Sequence, residues 1–442
     1  MAYNKKKALI ANINAIDAAF NIRRENRRPT LGEMHTLSEY SGFGGLKVIL
    51  KDTENLDNWS REDLEMLPAV TQLWNVLRNH AKDEREFNMF RSSVRNSILT
   101  AFYTPDKFIN DLSNVLEEVV PQFPQKVLEP SAGTGRFIHV LDHMAVDSDE
   151  RQSVQVTAYE KDILTATILS ALEPDAKVVA DGFETIPQNE MGTYDMVVSN
   201  IPFGDVRIYD PLYKDGVHKK AADRIHNYFF VKGLDALREG GLLVYLTSRG
   251  VADTASNRDV REHLMNKSNL ISAIRLPDSL FVNEGITEVG TDLIILQKNS
   301  MKKELSEAEK RFIETREWNI LKNERGEDYI GGMIAKNCYI DGGRDGSPGA
   351  ALDDTVIGSP YQDTDQFGKL TIKFASEDSR SDEASLRNII RQDFAWRYDD
   401  ELGRRPEPKP SMHVEPEQEA LTLWDLFGLT SEERTQVKTK GK

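Results

Sequence analysis

The 442-residue chain has room for about three domains of roughly 150 residues, and its 39% hydrophobic and 29% charged residues suffice for at least one full core. A net charge of −16 argues against non-specific coating of duplex nucleic acid, an affinity that Lys and Arg supply by displacing counterions, and leaves a local basic groove open. The single cysteine, Cys338, excludes an intramolecular disulfide and a CxxC zinc site and fits a reducing, cytoplasmic compartment, and no apolar run approaches the roughly 18 residues of a membrane span.

Residues 1–100 read as a helical N-terminal region. MAYNKKKALIANINAIDAAF starts basic like a signal peptide, but Asn12, Asn14 and Asp17 break its apolar stretch, which predicts an amphipathic helix instead. Arg23, Arg24, Arg27 and Arg28 then cluster, either as a solvated helix end or as a phosphate contact. SGFGGLK, with Gly42, Gly44 and Gly45, marks a turn or a flexible loop. REDLEMLPAVTQLWNVLRNHA has helical spacing that Pro68 should interrupt.

From 101 to 300 the pattern alternates strand and helix. Thr104-Pro105 reads as a cap followed by proline at the first helical position. Strands are predicted at 126–129, 155–160, 177–180, 194–200, 241–248, 270–276 and 291–298. Helices are predicted at 135–145, 161–172, 223–238 and 256–267. This order predicts an α/β fold, a doubly wound, seven-stranded, mostly parallel sheet. PDSLFVNEGITEVG is too short for a parallel crossover, so the last strand is expected antiparallel. Beyond it lies a C-terminal region, 301–403, with helix expected over 301–330 and a Gly-, Asp- and Ser-rich stretch over 331–368. Residues 404–442 read as an extended linker, RRPEPKPSMHVEPEQE, and an apolar tail, LTLWDLFGL. No GxxxxGK[ST] loop and no recognisable nuclease motif occurs, which argues against a fused motor or cleaving activity.

Two sites at strand ends carry the chemistry. The first strand runs into Glu129-Pro130-Ser131-Ala132-Gly133-Thr134-Gly135, where glycine lets a ligand approach the backbone. Ile138 occupies the third glycine position of the GxGxxG dinucleotide fingerprint, which counts against NAD. Glu160 ends the next strand, where one carboxylate can accept from both hydroxyls of a ribose. Asp181 and Phe183 follow the third strand, suited to an adenine amino group and an adenine ring. The fourth strand ends in Ser199-Asn200-Ile201-Pro202-Phe203. An exocyclic aromatic amine is a poor nucleophile because its lone pair is conjugated into the ring. Acceptors on its hydrogens, the Asn200 side chain and the Ile201 carbonyl, favour a more tetrahedral nitrogen, and Phe203 offers a face for stacking worth about 1–3 kcal/mol. Directly after, Arg207, Lys214, Lys219, Lys220 and Arg224 interleave with Tyr209 and Tyr213. The stretch reads as a contact for phosphates and an unstacked base, or as a plain surface loop. His139 and His143 share a helix face without a Cys partner nearby in the sequence, and no metal site is expected.

Together these segments resemble the S-adenosylmethionine-dependent DNA N6-adenine methyltransferases of the gamma arrangement, over about residues 100–298. AFYTPDKF resembles their motif X, LEPSAGTGRF motif I, AYE motif II, ADGF motif III and NIPF motif IV, in the gamma order. IRLPDSLF…GTDLIILQK is similar to the last hairpin of type I modification subunits, and the whole, SGFGGLK included, is similar to methylases of mobile elements. The resemblance implies a class I methyltransferase fold. It implies a cofactor site at Phe102, Tyr103, Thr104, Glu129–Gly135, Glu160, Asp181 and Phe183. It also implies catalysis at Asn200, Ile201, Pro202 and Phe203, on a base flipped out of DNA held by Arg207, Tyr209, Tyr213, Lys219 and Lys220. Ile201 replaces the first proline of the usual NPPF, and 301–403, the remaining candidate for target recognition or partner contact, carries no clear recognition signature. The same chemistry on cytosine N4, RNA adenine or a protein glutamine stays open, as does an inactive cofactor-binding module of a mobile-element defence or anti-defence complex. A cytosine-C5 enzyme needs a thiolate, usually after proline, and Cys338 follows Asn337. QEALTLW, within 418–427, is similar to the peptides that dock on the replication sliding clamp; a specificity subunit is the other partner expected there.

Overall fold

A computed structural model describes residues 4–100, 104–145, 148–280, 290–318, 334–342, 355–364, 370–376 and 378–405. Four helices lead: α1 (Lys5–Glu25), α2 (Leu31–Ser38), α3 (Arg61–His80) and α4 (Glu84–Thr100). Their starts are set locally. Asn4 caps α1, and Thr30 and Ser60 form capping boxes with Glu33 and Asp63. Pro68 does not interrupt α3 as its sequence suggests. The helix runs through it, because the face carrying Met66, Ala69, Val70, Leu73 and Leu77 is buried and outweighs one missing backbone bond. SGFGGLK is a pinned turn. Gly42 and Gly45 take positive φ, Asn12 brackets the turn through the Gly42 carbonyl and the Ser41 N–H, and Phe43 is fully buried. Arg27 and Arg28 are held by Glu33 at 2.7 Å and Asp175 at 2.5 Å.

The sheet strands are β1 (Lys126–Glu129), β2 (Gln155–Tyr159), β3 (Lys177–Val179), β4 (Tyr194–Asn200), β5 (Leu237–Ser248), β6 (Ser268–Arg275) and β7 (Thr291–Lys298). Their order is β3-β2-β1-β4-β5-β7-β6, and β7 lies antiparallel to both β5 and β6. The expected α/β sheet, mostly parallel with an antiparallel last strand, is the fold observed. The central strands read as near-continuous apolar runs because helices cover both faces. The chain builds β1, β2 and β3 outward, then returns to place β4 on the other side of β1, pairing Val127 with Met196 and Leu128 with Val197. That reversal is a topological switch point, and it opens a crevice beyond the carboxyl ends of β1 and β4.

Several local expectations need correction. The helix after Pro105, α5 (Asp106–Val119), starts one residue later than expected, because Pro105 is itself the extended cap residue with ψ 138°. Thr104 turns inward and is buried instead of capping. The helix expected at 135–145 is a tight 3₁₀ segment, Arg136–Val140, followed by one α turn, Leu141–Met144. Among the described residues of 301–330, only Glu307–Ile313 is helical. The chain becomes extended at Glu314, and Thr315–Trp318 pairs with Ile334–Asn337. Phe312, Tyr339 and Phe374 join the core beside β5 and β6, while the helix Ser379–Arg397 packs Leu386, Ile389, Ile390 and Phe394 on the other face of the sheet. Among the described residues, no helix is long and apolar enough to cross a membrane. The link 281–289 and the tail from 406 onward, with its 418–427 peptide, lie outside the described residues.

Candidate active site

The turn after β1 is shaped by two glycines with φ of 54° at Gly133 and 87° at Gly135. A β-carbon on Gly135 would also stand 2.8 Å from Leu169 Cδ1, so the position takes no other residue without strain. Ala132 N–H donates to the Tyr159 carbonyl (2.9 Å) and Ser199 Oγ to the Ser131 carbonyl (3.3 Å), which tie the turn to the ends of β2 and β4.

Glu160 stands beside it. Its carboxylate accepts from Gly133 N–H at 2.8 Å and Asp162 N–H at 2.7 Å, so its two oxygens are fixed in place. Burial pushes its pKa up to about 7. Glu129, 1% exposed, is raised well above the usual carboxyl range by burial, with Glu173 and Glu160 adding; its Oε2 has no hydrogen-bond partner. Thr104, 2% exposed, likewise leaves Oγ1 unpartnered, while its carbonyl accepts from Arg136 at 2.6 Å. Asp181 is exposed at the rim. Phe183 is buried among Tyr159, Tyr228 and Phe229. Phe102 and Tyr103 lie outside the described residues.

At the end of β4, Asn200, Pro202 and Phe203 are half-buried, and Ile201 is buried with its N–H donating to the Leu246 carbonyl at 3.0 Å. The loop beyond is rooted by Asp210, which accepts from Tyr228 Oη (2.7 Å), Leu212 N–H (2.8 Å) and the buried Lys232 ammonium. Tyr209 is 80% exposed, and Lys219 is exposed. Arg207 pairs with Asp223 at 2.6 Å and Lys220 with Asp259 at 2.5 Å. Tyr213 departs from its expected role. It is 7% exposed, its hydroxyl donates to Asp235 at 2.5 Å, and it packs against Tyr228, so it anchors the loop from below.

All the described site residues proposed for cofactor and catalysis except Thr134 and Gly135 line one cavity of about 1170 Å³, including Thr104, Glu129, Glu160, Asp181, Asn200 and Phe203. This exceeds the roughly 300–1,000 Å³ of a single small-molecule site and leaves room for a second group beside the first. One wall was not foreseen from the sequence. It is α4, whose polar residues Arg85, Asn88, Ser92, Ser93, Asn96 and Ser97 face the cavity. Its opposite face, Phe87, Phe90, Val94 and Ile98, is buried against α1, α3 and the helix Ile163–Leu172. The helical spacing of 87, 90, 94 and 98 was a signal for the helix. Nothing local distinguishes a polar face toward solvent from one toward a ligand. His139 contacts Asp142 at 2.8 Å and Glu173 at 3.3 Å, and among the described residues no group of three or more His, Cys, Asp or Glu could hold a metal ion.

The profile of a family described as N-6 DNA Methylase matches residues 88–336, more than half of the chain. No curated protein matches it in sequence. Similar solved structures include the methyltransferase subunit of a type I restriction-modification system from Streptococcus thermophilus, at 13% identity over 67% of this chain and 80% of that one, with a TM-score of 0.40. A TehB-like S-adenosylmethionine-dependent methyltransferase from Corynebacterium glutamicum is 16% identical over 43% of this chain and 88% of that one, with a TM-score of 0.29.

Proposed function

The chain belongs to the N-6 DNA methylase family, a DNA adenine methyltransferase with S-adenosylmethionine as its cofactor, and from that premise we propose that it is a site-specific enzyme that flips its target adenine out of DNA and methylates the N6 amino group by direct in-line transfer. The observation that carries this reading is that the Glu160 and Asn200 loops open into one cavity large enough for two ligands.

The residues present fit the cofactor. Glu160 offers its carboxylate to a ribose, Asp181 accepts from an adenine amino group, and Phe183 forms the apolar floor. The unpartnered Thr104 Oγ1 and Glu129 Oε2 match a ligand with donors and acceptors of its own. When bound, the cofactor supplies an electrophilic methyl group on a sulfonium. Asn200 then accepts from the N6 amino group, with the Ile201 carbonyl as second acceptor, and Phe203 stacks on the base. Desolvation by the surrounding walls strengthens both hydrogen bonds. No metal or covalent enzyme intermediate enters this scheme. Arg207, Tyr209, Lys219 and Lys220 are the proposed contacts to flanking DNA; the first and last would exchange their acidic partners for phosphates. Residues 301–403 are proposed to contribute target recognition or a partner contact, and 418–427 to dock a sliding clamp or specificity subunit in the cytoplasm.

Transfer of tritiated methyl to unmethylated plasmid tests the reading, wild type against Asn200→Ala. The expected result is incorporation into DNA that the substitution removes, with polymerase-kinetic sequencing locating the label on adenine. Cofactor binding without incorporation would favour the inactive module instead.

A further inference from the structure

The polar face of α4 lines the cavity with three serines, and their hydroxyls are not equivalent. Ser92 Oγ donates to the Asn88 carbonyl at 2.9 Å, and Ser97 Oγ accepts from Phe43 N–H at 3.1 Å. Ser93 is 5% exposed, and its Oγ has no hydrogen-bond partner. A buried hydroxyl left unpaired costs about 1–3 kcal/mol, so a helix that could carry alanine there without loss holds the serine against that cost.

We propose that Ser93 binds the amino-acid end of S-adenosylmethionine, together with Thr104 and Glu129. The inference rests on the cofactor assignment above and adds a binding residue from the N-terminal helices. The argument is one of complementarity. Glu160 and Asp181 are matched to the ribose and the adenine. The remaining unpartnered groups on the cavity wall, Ser93 Oγ, Thr104 Oγ1 and Glu129 Oε2, are two hydroxyl donors and one carboxyl. An α-amino acid presents the reverse set, a carboxylate that takes hydroxyl donors and an ammonium that seeks a carboxylate. All three line the same cavity, and the Thr104 carbonyl accepts from Arg136, the first residue after the Gly133–Gly135 turn. Ser93 thereby makes α4 a part of the cofactor site and not only a scaffold for it.

The test compares two ligands by calorimetry on wild type and Ser93→Ala. One is S-adenosylhomocysteine, which carries the amino-acid end; the other is 5′-methylthioadenosine, which lacks it. Expected is a loss of about five- to tenfold in affinity for the first and no change for the second. Because the ratio is read on one preparation, it does not depend on the folded fraction. Equal losses for both ligands, or no loss for either, would overturn the inference while leaving the cofactor assignment intact. A wild-type chain that binds neither ligand overturns the assignment itself, and the inference with it.

Discussion

The two rims of the cavity are built on opposite plans. On the β1–β3 side Glu160 is locked by backbone bonds between Gly133 and Asp162, beside a glycine turn that admits no side chain at Gly135 without strain. On the β4 side the loop beyond Phe203 displays Val206, Tyr209 and Leu212 to solvent, and its cations sit in exposed ion pairs. Such pairs contribute little to stability and exchange readily. Yet this loop is not slack, because Asp210 roots it in the core through Lys232 and Tyr228. The difference teaches how one fold serves a small ligand and a polymer together. The first rim is preorganised around a few atoms; the second keeps its surface open and fixes only its base.

Four substitutions can break or sharpen that contrast. Asn200→Ala should lower methyl transfer by about 10²–10³-fold while leaving S-adenosylhomocysteine affinity unchanged, since the lost acceptor belongs to the open rim. Asp210→Ala strands the Lys232 ammonium in the core and should cost about 3–5 kcal/mol in urea unfolding. A smaller loss would mean that the open rim has no rigid root. On the closed rim, cofactor affinity should fall about tenfold from about pH 8 to about pH 6, because Glu160 titrates near 7 and only its ionised form accepts from both ribose hydroxyls. Glu160→Gln should weaken binding at the higher pH and flatten the profile; an unchanged slope would assign the titration elsewhere. The smallest effect is expected for Ile201→Pro. It restores the usual motif but removes the N–H that bonds Leu246, costing about 1 kcal/mol, measured as a lower denaturation midpoint. A large gain in rate would show that the isoleucine limits the chemistry.

Much of the closed rim was legible in the chain. The strand end at Glu129 is as expected, and those at Tyr159 and Val179 fall one residue short of the expected 160 and 180, since short apolar runs stopped by turn-forming and acidic residues mark a strand end only to within a residue. The glycine spacing at 133 and 135 announced a close approach, because backbone conformation there is a local property. Tyr213 shows where local reading stops. An aromatic between lysines looks like a nucleic-acid contact, yet Asp235, 22 residues on in the chain, claims its hydroxyl and the core claims its ring.

By itself the sequence determined the alternation of strands and helices, the antiparallel last strand and the residues at each strand end, because periodicity and turn chemistry act over a few neighbours. Only the tertiary structure decided that β1 and β4 lie side by side, that β7 inserts between β5 and β6, and that the polar face of α4 meets a cavity and not water. A polar stripe states which face avoids the core; what it faces instead is fixed by elements far away in the chain.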